Sequence, residues 1–247
     1  MALFQRLFFA VLLAGLVSGA ALAALQQWRV VPLILEAEIY EDADVPADHG
    51  HEAAAPAHDE ALAPAHDHGD DEWAPADGME RTLYTTAATI FAGLGFAFVL
   101  SAASVLTGFE VTPRNGVLWG LAGFAIFQLA PAFGLPPELP GMPAADLVAR
   151  QIWWWGTAAA TATAIYGIAR FRNAAAIAIG IVLLVVPHLI GAPQPADHAS
   201  AVPAALAAAF AARTLATGLA FWLALGSLYG YFVTRSARAP AATEVPA

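Results

Sequence analysis

The chain has 247 residues, 59% of them hydrophobic, a mean hydropathy of +0.62 and a formal charge of −10. A soluble globular domain is roughly 45–50% apolar, so a bilayer is the natural solvent for most of this sequence. The absence of cysteine excludes a disulfide framework and thiolate metal sites. Ten arginines, no lysine and twenty acidic residues exclude a nucleic-acid-binding face, which needs clustered positive charge.

A membrane-crossing helix needs about 20 mainly apolar residues. Six stretches approach that length: Leu7–Gln27, Leu83–Leu106, Gly116–Leu135, Ile152–Ala169, Ala174–Ile190 and Ala204–Val233. The reading is an all-α polytopic transmembrane helical bundle of about six spans. It divides into a first anchor over 1–35, an acidic His-rich loop over 36–82, a five-helix bundle over 83–233 and a tail over 234–247. The pairs Gly15/Gly19, Gly116/Gly120 and Gly226/Gly230 carry the small-xxx-small spacing that lets membrane helices approach closely, and are expected to be packing contacts.

The first stretch also resembles a secretory signal, with Arg6, an apolar core and small residues at Ala21-Leu22-Ala23. Its apolar run of about 20 residues exceeds the 7–15 of a signal core, which favours a retained anchor. Cytoplasmic loops carry the arginine excess. With the N-terminus inside, Arg6, Arg114, Arg170, Arg172, Arg235 and Arg238 are cytoplasmic and Arg29, Arg81 and Arg150 external. Both termini are then cytoplasmic and the long insert is extracytoplasmic.

That insert holds fifteen of the twenty acids, between Glu36 and Glu80, and five of the seven histidines: His49, His51, His58, His66 and His68. It alternates imidazole with carboxylate, a mixture that suits borderline divalent cations. With almost no large apolar residue between Val45 and Glu72 it cannot bury a core and is expected to be disordered. Two readings stay open: a weak, exchangeable metal-capture antenna, or a solvated acidic linker with incidental histidines.

Further along, the run Leu135-Pro136-Pro137-Glu138-Leu139-Pro140-Gly141-Met142-Pro143 pre-sets a rigid, donor-poor loop, in which Glu138, Met142 and Asp146 are candidate fixed ligands. The alternative is a lid that only closes the outer face. Trp153-Trp154-Trp155 reads as an interfacial aromatic belt. His188 follows Pro187 at the outer end of the fifth span. There the proline loosens the backbone and frees carbonyls, so a metal role competes with that of an interfacial, hydrogen-bonded histidine. His198, ten residues on, can share the same vestibule. Arg213, inside the long sixth stretch, is read as structural, at the membrane boundary, with Glu138 or Asp146 as a candidate salt-bridge partner. No nucleophile elbow, zinc-protease motif, phosphate loop or dinucleotide fingerprint is present, which argues against an enzyme and against ATP hydrolysis by this chain.

Several of these stretches resemble the CbtA family of probable cobalt transporter subunits. They are the anchor running into Leu25-Gln26-Gln27 and Val31-Pro32-Leu33-Ile34-Leu35-Glu36-Ala37-Glu38-Ile39-Tyr40-Glu41, the His and acid tract, and Trp73 to Tyr84. Further on, the match continues in Leu129-Ala130-Pro131-Ala132-Phe133-Gly134-Leu135 with the Pro-rich loop, and in Pro187-His188-Leu189-Ile190-Gly191-Ala192-Pro193. The resemblance implies five membrane segments, against six counted, and cobalt uptake for cobalamin synthesis alongside a small His-bearing membrane subunit, CbtB. It implies Co²⁺ as cargo and no resident cofactor; the residues themselves fit Ni²⁺ or Zn²⁺ nearly as well.

The residue-based expectation is that the insert captures the cation and that His188, with Glu138, Asp146 or His198, receives it at the bundle mouth. A non-conducting metal-binding or sensing module is the second reading, and metal efflux the third.

Overall fold

The computed structural model describes residues 2–44 and 75–238. Among these there are seven helices and no strand. They are α1 (Ala2–Arg29), α2 (Val31–Asp44), α3 (Met79–Thr107), α4 (Gly116–Ala132), α5 (Leu147–Phe171), α6 (Ala174–Ile190) and α7 (Ala204–Arg238). All six apolar stretches of the sequence fall on helices. Three are long and apolar enough to cross a membrane: Phe4–Arg29, Met79–Thr107 and Ala204–Ala237. At 1.5 Å per residue, α4 and α6 reach only about 26 Å, short of a hydrocarbon core of about 30 Å. α5 has the length, but Trp153, Trp154, Trp155, three threonines and two arginines dilute its apolar character.

α1 lies against α3 and α7, α4 against α7, and α5 against α6. The small-xxx-small pairs are where these backbones meet. A Cβ on Gly93 of α3 would stand 2.8 Å from the Gly19 Cα of α1, and one on Gly15 would stand 2.9 Å from the Leu94 Cα. On the other side of the bundle, Gly116 and Gly120 of α4 face the backbone of α7 at Gly226 and Trp222, and Gly230 faces the Thr112 carbonyl. Around these contacts sits a core of Val11, Ala14, Ala97, Leu100, Phe124, Phe221, Trp222, Leu225 and Tyr229. Outward-facing Phe9, Phe91, Leu118, Ile152 and Ile179 are all exposed, the inverse of a soluble surface and the surface a lipid solvent requires.

A second core closes one end of the bundle. Val30, Leu33 and Ala37 pack with Leu139 of the Pro-rich loop, with Val202 just before α7, and with Leu206 and Phe210 in its first turns. This corrects the expectation of a loop from residue 36: the chain stays helical to Asp44. The spacing Val30, Leu33, Ala37, Tyr40 is a helical stripe, and no glycine or proline interrupts Leu33–Asp44. The insert histidines lie outside the described residues.

Local chemistry sets the other boundaries. Asp146 begins α5 by accepting from the Ala149 amide at 2.9 Å, and Asn173 begins α6 by accepting from the Ala176 amide at 2.8 Å. Gly108, at φ 71°, ends α3 in the left-handed conformation that glycine adopts without a Cβ penalty. Within α4, residues Ala125–Leu129 widen into a π-helical turn. Pro131 explains it: the ring cannot donate to the Phe127 carbonyl and clashes with it, so the helix opens just before the proline.

Candidate functional site at the rim of the bundle

The second core marks an end at which several chain segments converge: the C-termini of α1 and α4, α2, the N-termini of α5 and α7, and the loops 133–146 and 191–203. The flanks of the insert meet there as well. Arg81, in the first turn of α3, pairs with Glu38 of α2 and, at 3.4 Å, with Asp77. The chain therefore leaves α2 and re-enters α3 beside one ion-pair clasp.

Each candidate ligand on the rim has a definite role. Glu138 accepts from Arg150 of α5 at 2.7 Å, a half-buried ion pair that ties the Pro-rich loop to the helix. Met142 turns its sulfur inward, accepting from the Leu139 amide at 3.3 Å. Asp146 spends one oxygen on the α5 cap. His188 is exposed, its ring edge-to-face with Phe133 at 5.9 Å and Trp153 at 5.8 Å. His198 is exposed on the loop after α6.

The structure does not gather these residues into one ligand set: among the described residues, no group of three or more His, Asp or Glu converges. The Pro187 carbonyl, offered by the sequence as a freed oxygen, accepts from both the Trp153 indole and the Gly191 amide, each at 3.1 Å. Arg213 pairs with neither Glu138 nor Asp146; its guanidinium donates to the Arg29 carbonyl at 3.1 Å, capping the last turn of α1. The helical residues after Ala204 and before Leu215 belong to α7 without a break.

Between α4, α5, α7 and the Pro-rich loop lies a cavity of about 390 Å³. One face of α5 lines it with Leu147, Arg150, Gln151, Trp154 and Trp155; α4 contributes Phe127, Gln128 and Pro131, α7 contributes Thr214 and Leu215, and the loop contributes Glu138. Gln128 Oε1 and Thr214 Oγ1 are buried and lack hydrogen-bond partners among the described residues. The Gln128 amide lies against Gly218, where a Cβ would collide with it. Gly218 is one turn after Thr214 on the same face of α7. Sequence reading passed over these two residues. The available signal was Gln128 itself, the one amide in Gly116–Ala132, placed three residues before a proline.

A helical bundle with outward-facing apolar surfaces and a polar rim is the construction of a polytopic membrane protein. Within that class, the family model for probable cobalt transporter subunits, CbtA, matches residues 4–234, and the chain belongs to that family. Its members are described as probable subunits of a transporter, and hence of a membrane complex. Neither a curated protein nor a solved structure matches the chain.

Proposed function

We propose that this chain is the membrane-embedded subunit of a Co²⁺ importer in the bacterial cytoplasmic membrane, supplying cobalt for cobalamin synthesis with a small His-bearing CbtB-type subunit. The observation that carries the reading is family membership over residues 4–234. The arginine distribution supports an N-in orientation with the rim outside. A −10 chain whose acids concentrate in one insert raises local cation concentration at the surface that carries it.

In this reading His49, His51, His58, His66 and His68 capture Co²⁺ weakly outside, and the rim receives it through the exposed His188 and His198 and the carboxylates Glu138 and Asp146. Passage from many weak, exchangeable ligands to a few ordered ones gives entry without trapping, because conduction needs sites that release as readily as they bind. The test is cellular cobalt accumulation with the partner subunit present. Deleting residues 48–72 together with His188→Ala is expected to abolish the uptake above background, and unchanged accumulation refutes the reading.

The few charged residues along the apolar spans favour one alternative, a non-conducting module that binds or senses divalent metal. Flux of Co²⁺, Ni²⁺ and Zn²⁺ into proteoliposomes separates the two and ranks the metals, since a binding module retains label on the protein without moving it across the bilayer.

A further inference from the structure

We propose that the rim cavity is the headgroup site of a phospholipid that carries a phosphate and a primary ammonium, of the phosphatidylethanolamine type. Arg150 takes the phosphate, Glu138 the ammonium, and the ring-lined wall the glycerol and the first methylenes of the acyl chains.

The cavity holds about 390 Å³, within the range of about 300–1,000 Å³ typical of sites for small organic molecules. Its charged lining is a single ion pair, Arg150 with Glu138, and Gln151 follows Arg150 on α5. Most of the remaining wall is apolar, with Phe127, Leu135, Leu147, Trp154, Trp155 and Leu215. The Gln128 and Thr214 side-chain oxygens have no accessible surface and take no part.

The ion pair keeps unused capacity that a ligand can reach. Arg150 Nη2 donates to Glu138 Oε2 at 2.7 Å, and the two side chains are 28% and 23% exposed. A guanidinium has further N–H donors and a carboxylate a second oxygen, and neither side chain makes another hydrogen bond among the described residues. A molecule with opposite poles can therefore lie antiparallel to the pair without breaking it. The site is neutral as a whole: a purely anionic group meets repulsion from Glu138, and a purely cationic one from Arg150. A carboxylate accepts only from a donor, so an ammonium with N–H groups satisfies Glu138 and a trimethylated one does not.

The wall selects an amphiphile over a water-soluble zwitterion. Leu147, Arg150, Gln151, Trp154 and Trp155 follow the spacing of one helix face. Leu147 and Trp155 on that face are exposed, as is the neighbouring Ile152, so the cavity wall continues onto the apolar outer surface of α5. The Trp154 ring contacts the rings of Phe127 at 6.3 Å and Trp155 at 4.9 Å, which makes this wall a packed aromatic surface. Arg150 lies one turn before Trp154, and tryptophans of membrane helices sit at headgroup level. The ion pair thus stands where a lipid phosphate and ammonium are found.

The experiment is native mass spectrometry of the full-length purified chain in metal-free buffer, with equal amounts of dioleoyl phosphatidylethanolamine, phosphatidylcholine and phosphatidylglycerol. One ethanolamine lipid is expected to be retained in preference to the other two by about tenfold, the worth of one hydrogen bond to a charged group. Arg150→Gln and Glu138→Gln should each abolish that preference. Both changes also break the tie between α5 and the Pro-rich loop, so a third variant leaves the pair intact: Gln151→Trp, at an exposed lining position, fills the cavity and should lose the lipid with the thermal midpoint unchanged.

Equal retention of the three lipids, a preference for choline, an unchanged preference in Arg150→Gln and Glu138→Gln, or full retention in Gln151→Trp overturns the proposal. Soluble glycerophosphoethanolamine binding as tightly as the lipid overturns it too, since the ligand is then a free metabolite. Glu138 also serves the cobalt-transport reading, in which ammonium and cargo are alternatives at that carboxylate. Lipid retention is read without metal, so its failure leaves that reading standing, and failed cobalt uptake leaves the lipid site standing.

Discussion

Tyr229 of α7 donates its hydroxyl to Ser101 Oγ of α3 at 2.8 Å, and both residues are buried. Such a bond between membrane helices is worth about 0.6 kcal/mol on average and up to about 1.7. A larger cost arises when one partner is removed, because the other is left unsatisfied, at about 1–3 kcal/mol. Ser101→Ala and Tyr229→Phe are therefore each expected to destabilise the bundle by about 1 kcal/mol. The double variant should lose clearly less than the sum, since replacing both partners leaves no orphan. Denaturation in mixed micelles over the full cycle measures it, and strict additivity argues that the two hydroxyls are not coupled.

The helix contacts predict opposite outcomes for different glycines. At Gly116 and Gly120 a Cβ would overlap the backbone of α7, so the helices must separate. Gly120→Val is expected to cost more than about 3 kcal/mol, at or beyond the upper end of ordinary overpacking. At Gly156 and Gly167 of α5 a Cβ meets nothing within 4 Å. There alanine should be neutral or stabilising by up to about 1 kcal/mol, its helix-propensity advantage. Comparing thermal midpoints of the purified variants checks both halves, and a tolerated Gly120→Val refutes the close approach of α4 and α7.

Most of the fold was legible because apolar runs and glycine spacing act locally: each of the six stretches became a helix and each glycine pair became a contact. α2 was missed because its acidic composition hid a stripe of Val30, Leu33, Ala37 and Tyr40 whose partners, Leu139 and Phe210, are far away in sequence. The rim residues were harder still. Glu138 and Asp146 looked like ligands by residue type, but what they bind was decided by the start of α5, which puts Arg150 beside one and the Ala149 amide beside the other. Gln128 and Thr214 carry no motif. Their placement appears only when α4 and α7 are packed, which sets the Gln128 amide against Gly218, one turn beyond Thr214.

The indole of Trp153 fixes the end of α6 by donating to the Pro187 carbonyl, and its ring also backs His188. Trp153→Phe keeps an aromatic ring and loses the donor, so its stability cost should be about 0.5–1.5 kcal/mol, a typical net hydrogen bond. Trp153→Ala removes the ring as well, at about 3–5 kcal/mol for a well-packed tryptophan, a ceiling here because Trp153 is only half-buried. Hydrogen exchange at the Gly191 amide, which shares the same carbonyl at 3.1 Å, should quicken in the alanine variant more than in the phenylalanine one. Equal protection in all three proteins would show that α6 holds its end without Trp153.

The Arg81 clasp makes a prediction in which function and stability part company. The Glu38 and Arg81 side chains are 30% and 39% exposed, and Asp77 is 93% exposed, so solvent screens the pairs and their coupling should be below about 1 kcal/mol. Arg81→Gln is expected to shift the thermal midpoint by no more than a few degrees, the size of shift such an energy produces in a domain of this length. Its effect on delivery should be larger, because the clasp joins α2 to the first turn of α3 at the two roots of the insert. Cobalt accumulation should fall in Arg81→Gln and in Glu38→Gln, and the charge swap Glu38→Arg with Arg81→Glu should recover part of it. Asp77→Asn, which removes only the exposed partner, should leave accumulation near that of the unsubstituted chain. Equal uptake in all four proteins would show that the relative placing of the insert's roots plays no part in handing the ion to the rim.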